Sequence, residues 1–185
     1  RLVEKVDAHI EELYNELDAL GIIENTVIVY TADHGDGHAS HQWNQKKTFY
    51  EETINIPLVI SWKGKTKVGV IDEETLTQNG LDLYPTILQL AGVTIPESLH
   101  GESLVPNVLQ DPGEETPVSR EYIVSEIEQK VYKGNTPGTF VGRMLVTQNL
   151  KYILFDRGVN REQLFDVEND PGELNPVTDD PAYND

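Results

Sequence analysis

The feature that most limits how this chain can fold is a pair of short apolar runs, Val27-Ile28-Val29-Tyr30 and Ile56-Pro57-Leu58-Val59-Ile60-Ser61-Trp62. They are separated by a long polar segment with three His, two Lys and two Asp. Both runs are rich in β-branched residues and apolar on both faces, which predicts central strands of a parallel sheet covered by helices. Pro57 falls at the start of the second run, where a missing donor is tolerated. A helix is expected just before the first strand: Val6, Ile10, Leu13, Leu17 and Leu20 recur at steps of three and four, and Gly21 closes the run as a C-terminal cap. Helix, short link and buried strand make one arm of an α/β unit. A second helix is read over 81–91, with Leu83, Ile87, Leu88 and Leu90 as its buried set, Pro85 in its first turn and Gly92 at its end. The stretch 101–109 is a shorter helical candidate.

Beyond a polar, proline-bearing boundary at about 111–117 the texture changes. Tyr122 to Ser125, Phe140 to Thr147, Lys151 to Phe155 and Gln163 to Asp166 are short β-prone runs separated by polar turns, which predicts an antiparallel sheet of four strands. The expected organisation is therefore an α/β region over 1–110 and a small antiparallel-sheet subdomain over 111–185. Residues 161–185 carry eight acids, one base and three prolines, so the last ten or so are expected to form a loosely held tail.

Charge narrows the function classes. With 14 Lys and Arg against 32 Asp and Glu the formal net charge is −18, which argues against gripping nucleic acid or an anionic membrane face. An anionic ligand would need a local cluster of cations. The absence of cysteine removes disulfides, thiolate metal sites and cysteine nucleophiles from the chain. No apolar run reaches membrane-spanning length. The first residue is Arg1 and the opening residues already read as helix interior, so a processed mature product, an engineered product or a fragment is expected.

Chemistry concentrates just after the first strand, in Thr31-Ala32-Asp33-His34-Gly35-Asp36-Gly37-His38-Ala39-Ser40-His41. In open α/β sheets, ligands bind beyond the carboxyl ends of strands, and Asp33 and His34 sit at such an end. A carboxylate beside an imidazole, followed by a glycine that lets the backbone turn away, suits a pair of metal ligands. The residue types alone leave an ordinary solvated loop equally open. Lys46, Lys47 and the aromatic residues Trp43, Phe49 and Tyr50 follow; aromatic side chains in a loop of this length need a surface to pack on, which favours a functional loop over disorder.

The order of these pieces resembles the second half of a type I sulfatase catalytic domain, in the alkaline phosphatase superfamily. The likeness rests on Asp33-His34-Gly35-Asp36, His41, Lys46, Phe49-Tyr50-Glu51-Glu52 and Ile56-Pro57-Leu58-Val59-Ile60. It continues through Leu81-Asp82-Leu83-Tyr84-Pro85-Thr86-Ile87-Leu88, His100-Gly101-Glu102-Ser103-Leu104 and Lys151-Tyr152-Ile153-Leu154. It ends in Leu164-Phe165-Asp166-Val167-Glu168-Asn169-Asp170-Pro171-Gly172-Glu173. The resemblance implies an alkaline-phosphatase-like α/β sheet domain followed by a small antiparallel C-terminal subdomain. It implies that Asp33 and His34 ligate a calcium ion, occasionally magnesium, that Lys46 contacts the sulfate oxygens, and that His41 hydrogen-bonds the sulfate or the departing ester oxygen. Lys47 lies one position off the pattern, His38 has no counterpart, and Asp36 supports the loop.

The departures matter as much. The family nucleophile is a formylglycine made from Cys or Ser in a C-x-P-S-R or S-x-P-x-R motif of the N-terminal half. Thr116-Pro117-Val118-Ser119-Arg120 has the wrong order and place for it. Two early metal-binding aspartates are missing as well. The expectation is the C-terminal portion of a longer sulfatase that acts on sulfate esters, those of carbohydrates included, and is inactive by itself. Its expected partner is a sulfated small molecule or sugar, with no nucleic acid and no membrane, and its open apolar surface is expected to self-associate. A periplasmic or extracellular place is suggested by the resemblance alone. Two alternatives stand beside it. One is a metal-dependent phosphatase or phosphomutase of the same superfamily, which Thr31-Ala32-Asp33-His34-Gly35 also resembles; the other is a non-catalytic truncated binding domain. The acids Asp166, Glu168, Asp170 and Glu173 lack the spacing of a calcium loop and are read as a docking turn.

Overall fold

The computed structural model describes residues 2–113, 115–133 and 136–183, with the side chains of 131–133, 136 and 137 left aside. The chain divides into two compact units that interleave in sequence. The first comprises Arg1–Thr31, Pro57–Asp72 and Asn79–Val118; the second comprises Ala32–Ile56, Glu73–Gln78 and Ser119–Asp185. The architecture is mixed α/β, with helices and two antiparallel sheets.

In the first unit, helix α1 (Leu2–Ala19) is stopped at Gly21, where Gly21 N–H donates to Asp18 O at 2.9 Å and Ile22 N–H to Leu17 O at 3.1 Å. Strand β1 (Val27–Thr31) pairs with β2 (Leu58–Trp62), from Val27 opposite Trp62 to Thr31 opposite Leu58. The pairing is antiparallel, which corrects the parallel reading. Apolar character on both faces indicates that both faces are suited to burial and says nothing about strand direction; here Tyr30 and Val59 remain exposed. The stripe of α1 is likewise open, with no buried residue in the helix.

Helix α3 (Asn79–Leu90) begins earlier than the sequence suggests, so Pro85 lies inside it and not in its first turn. A proline there cannot serve the carbonyl four residues back, and the backbone of Gly101 packs against that freed Leu81 carbonyl. A Cβ on Gly101 would sit 1.9 Å from Leu81 O. The same helix face is fixed by polar contacts: Glu102 N–H donates to the buried Asp82 carboxylate at 3.0 Å, and Leu104 N–H to the Thr86 hydroxyl at 2.9 Å. These bonds seat α3 against the segment leading into the short helix α4 (Val105–Val108).

The second unit holds a four-stranded antiparallel meander, β3 (Ile123–Lys133), β4 (Thr136–Val146), β5 (Leu150–Phe155) and β6 (Glu162–Asp166), in the order β3-β4-β5-β6. The four strands match the four β-prone runs. Burial alternates along β4 and β5, and the inward residues Met144, Ile153 and Phe165 form a core with Phe49, which arrives from the polar segment after β1. Phe49 lies 6.1 Å from Phe155 and Tyr50 meets Phe165 edge-on at 6.2 Å, so the aromatic residues of that segment do find a surface. The end of the chain is tied to β6 and is not a loose tail over the described residues. Val177 N–H donates to Leu164 O at 2.7 Å, Leu164 N–H to the Thr178 hydroxyl at 3.0 Å, and the Tyr183 hydroxyl to Asp166 at 2.6 Å. Residues 184 and 185 lie outside the described residues.

Candidate functional site

All the candidate residues lie in the second unit, between β1 and β2 in sequence. Gly35 fixes the start of the loop: its N–H donates to Thr53 O at 2.9 Å, and a Cβ there would lie 2.0 Å from Glu52 O. Only glycine allows the two backbones that close. Thr53 is buried and donates its hydroxyl to the carbonyls of Thr48 and Tyr50, each at 2.9 Å, which locks the short helix α2 (Glu51–Ile54) onto the segment before it.

Next to Gly35, the His34 ring is set by its own chain. Its Nδ1 donates to Gly35 O at 2.7 Å, leaving Nε2 as the nitrogen whose lone pair faces outward as an acceptor. That Nε2 lies 2.7 Å from Lys46 Nζ and 3.3 Å from a carboxylate oxygen of Asp33. Carboxylate, imidazole and ammonium thus converge, with Lys46 twelve residues beyond His34 in sequence. The Asp33 side chain is 84% exposed and that of His34 36%, so the cluster opens to solvent, where a ligand could reach it.

His41 is placed differently. It stacks flat on Tyr50, centroids 3.7 Å apart at 4°, its side chain is 10% exposed, and Nε2 lies 3.8 Å from Glu52. The contacts that place its ring are the Tyr50 stack and the Glu52 carboxylate, the latter at ion-pair and not hydrogen-bond distance. Burial works against ionisation of Glu52, but its backbone and Ser40 hydrogen bonds and the nearby His41 hold its carboxyl below the usual range. Asp36 accepts the His38 N–H at 2.9 Å, which keeps its carboxyl low and braces the loop.

The backbone here is unusual. His38, Ala39, His41, Gln42 and Gln45 all have positive φ, between 45° and 73°, in a region that favours glycine. Strained non-glycine residues of this kind cluster at functional sites when the surroundings over-determine them. Here the constraint comes from Gly37 N–H to Gln45 O at 3.0 Å and Ala39 N–H to Trp43 O at 2.9 Å.

Asp33 and His34 offer two donors, of a type and tautomer suited to a divalent cation. Calcium takes six to eight ligands and prefers oxygen; Asp33 offers that donor type and His34 a nitrogen outside the usual set, so the pair supplies a share of a coordination sphere and does not make one. Among the described residues, one group of three metal-capable side chains has its donor atoms within 4.8 Å of one another: His41, Glu52 and Glu173. The Glu173 carboxylate is already engaged, by Lys151 Nζ at 2.7 Å on one oxygen and the Glu51 N–H at 2.7 Å on the other. Burial pushes its carboxyl up despite Lys151. Lys151 itself is fully buried and also pairs with Glu51. The sequence carried a clue to it, because period-two alternation puts Lys151 on the core face with Ile153, where a cation needs carboxylate partners.

Comparison with known proteins gives a consistent result. The family model described as N-sulphoglucosamine sulphohydrolase, C-terminal, matches residues 39–185. A delta 4,5-hexuronate-2-O-sulfatase of Bacteroides thetaiotaomicron is 36% identical over 180 residues, which is 97% of this chain and 35% of that protein. The solved structure of a 2-O GAG sulfatase superposes with TM-score 0.82 at 34% identity, covering 96% of this chain and 37% of that one. A structure described as in complex with its substrate D-glucosamine-2-N,6-O-disulfate gives 0.80 at 30%, covering 98% and 36%. A phosphonate monoester hydrolase from Silicibacter pomeroyi gives 0.77 at 30%, covering 96% and 35%. The chain spans about a third of the length of the relatives it matches. With its mixed architecture, its two antiparallel sheets and a family match over most of its length, the chain belongs to the sulfatase family, with the alkaline-phosphatase-like fold.

Proposed function

We propose that this chain supplies one side of a carbohydrate sulfatase active site, with Asp33 and His34 as ligands of a divalent cation, calcium or magnesium. The observation that carries the reading is the convergence of the Asp33 carboxylate, His34 Nε2 and Lys46 Nζ. When bound, the cation would neutralise charge on sulfur-bound oxygens. Lys46, on a flexible stem beside His34, places an ammonium against the same tetrahedral anion. His41, held flat on Tyr50 beside Glu52, is the candidate for delivering a proton to the departing ester oxygen. The nucleophile, a formylglycine in the family, is not supplied by this chain, which carries neither the C-x-P-S-R nor the S-x-P-x-R motif, so the 185-residue polypeptide alone turns over no sulfate ester. The apolar face left open by Val3, Val6, Tyr30 and Val59 would make that isolated polypeptide self-associate.

Two measurements test this. The isolated chain should release no product from 4-nitrophenyl sulfate with or without calcium. In the polypeptide that also carries the formylglycine motif, Lys46→Ala should lower kcat/KM on a 2-O- or 6-O-sulfated sugar by about 10²–10³-fold. Unchanged turnover in Lys46→Ala would refute the role assigned to it. The likeness to a phosphonate monoester hydrolase keeps a second reading in view, a phosphate- or phosphonate-ester hydrolase at the same residues. Faster turnover of phenyl phosphonate than of any sulfate ester would favour it.

A further inference from the structure

We propose that Glu173 is a positioning residue for the candidate site, acting through Lys151 and the start of α2 on His34 and His41. This rests on the sulfate-ester reading for the meaning of those two histidines, but not for the contacts themselves.

Glu173 is 122 residues from Glu51 in sequence, yet its Oε2 accepts the Glu51 N–H at 2.7 Å. Tyr50, which precedes α2, makes no side-chain cap of its own, so a carboxylate from the end of the chain does the capping. The other oxygen, Oε1, faces Lys151 Nζ at 2.7 Å, and Lys151 also pairs with the Glu51 carboxylate. Both ends of this arrangement are dry: the side-chain exposures are 0% for Lys151 and 1% for Glu173. A buried charge pair of this kind is costly to break from one side, because the remaining charge has no water to turn to. Glu173 also sits at φ 51°, where glycine is favoured, so its side chain is held there against a backbone preference.

What the strut fixes is the placement of α2, and two routes lead from α2 to the site. On one side Tyr50 carries the stacked His41 ring. On the other, the Thr53 carbonyl accepts the Gly35 N–H, and Gly35 O in turn receives the Nδ1 proton that leaves His34 Nε2 facing Lys46. Removing Glu173 frees the first turn of α2 and leaves Lys151 short of a partner. Both histidines lose their reference while the sheet core of Met144, Ile153 and Phe165 stays packed.

The test is NMR on the 185-residue chain and on Glu173→Ala and Glu173→Gln. The His41 ring protons, stacked on Tyr50, should carry an upfield ring-current shift that disappears in Glu173→Ala. Gly35 amide exchange should accelerate by roughly tenfold or more, while the Met144 and Ile153 amides keep their protection within about threefold. Glu173→Gln keeps an oxygen for the Glu51 N–H and should restore the His41 shift in part; it also serves if the alanine variant does not fold. An unchanged His41 shift and Gly35 exchange in Glu173→Ala would overturn the proposal. So would loss of protection spread evenly over β4 and β5, which is what a purely structural residue gives. None of these signals depends on turnover, so unchanged turnover of Lys46→Ala in the polypeptide that carries the formylglycine motif would refute the functional reading and leave this one standing.

Discussion

The two units of the chain use similar sequence signals to different ends. In the second, the inward positions of β4, β5 and β6 close on Phe49 into a core whose members are 1–2% exposed. In the first, helix α1 has an equally regular apolar stripe, yet Leu13 is 50% exposed and Val6 42%, and the paired strands leave Val59 53% exposed. An apolar groove of about 340 Å³ runs between α1 and the β1–β2 pair, lined by Val6, Ile10, Tyr14, Ile28, Tyr30 and Val59. Hydrophobic periodicity therefore identifies a face suited to burial and does not say what covers it. The covered face supports the chemistry, because the site loop belongs to the unit that has its own packed core.

The largest effects should expose this contrast in stability. Phe165→Ala removes a ring that is 1% exposed and should cost about 3–5 kcal/mol in urea unfolding. Leu13→Ala, at half exposure in α1, should cost under about 1 kcal/mol. Equal costs would show that α1 is covered in solution and that the two units do not differ in this respect. Lys151→Met tests the same unit by charge: it leaves the buried Glu173 carboxylate without its cation, and breaking such a pair from one side costs about 3–5 kcal/mol.

Next in size are the glycines at which each unit brings two backbones together. Gly35→Ala would drive a methyl to 2.0 Å from Glu52 O, and Gly101→Ala to 1.9 Å from Leu81 O. Each should destabilise by about 1–3 kcal/mol, because backbone must give way. They should differ in consequence. Gly35→Ala should also remove the His34–Lys46 contact, seen as a changed His34 ring nitrogen shift, whereas Gly101→Ala should leave that shift alone. A His34 signal that responds to both variants would remove the distinction between the two glycines.

Much of the fold was legible because its signals are local. The four strands of the second unit and the two long helices follow from period-two and period-3.6 patterns, and Gly21 and Gly92 stand where helices were expected to end. The direction of β1 against β2 was not legible, since apolar residues on both faces suit parallel and antiparallel pairing alike. Of the site, Asp33, His34 and Lys46 stood out as residue types in a suggestive order. Nothing local announced that Ala39, Gln42 and Gln45 adopt left-handed backbone, because that conformation is imposed by Gly37–Gln45 and Ala39–Trp43 bonds and not by their own preference. Glu173 was visible only as one acid in an acidic ending. Its partnership with Glu51 spans 122 residues and exists only once β5 delivers Lys151 between them.

The smallest effect concerns the end of the chain, where a part-buried charged contact holds the segment that a core holds elsewhere. Asp166 accepts hydrogen bonds from the Tyr183 hydroxyl at 2.6 Å and from the Asn169 side chain and backbone at 2.9 and 3.0 Å. These hold its carboxyl down to about 2, from an ordinary 3.8. A depressed folded value means that the ionised form is the one the fold favours. The stabilisation is therefore complete above about pH 4 and is lost as the pH falls through about 2. Because the Asp166–Tyr183 contact is only part-buried, salt and water screen part of the effect, and the loss should be confined to the contact between β6 and the Tyr183 segment. Acid titration followed by the Tyr183 ring resonances should show release of the hydroxyl in that window, with Met144 and Ile153 unaffected. Asp166→Asn, which keeps the acceptor oxygen but cannot titrate, should flatten the transition. A transition that persists in Asp166→Asn would assign it to another carboxylate, and one that carries Met144 with it would make the acidic ending part of the core.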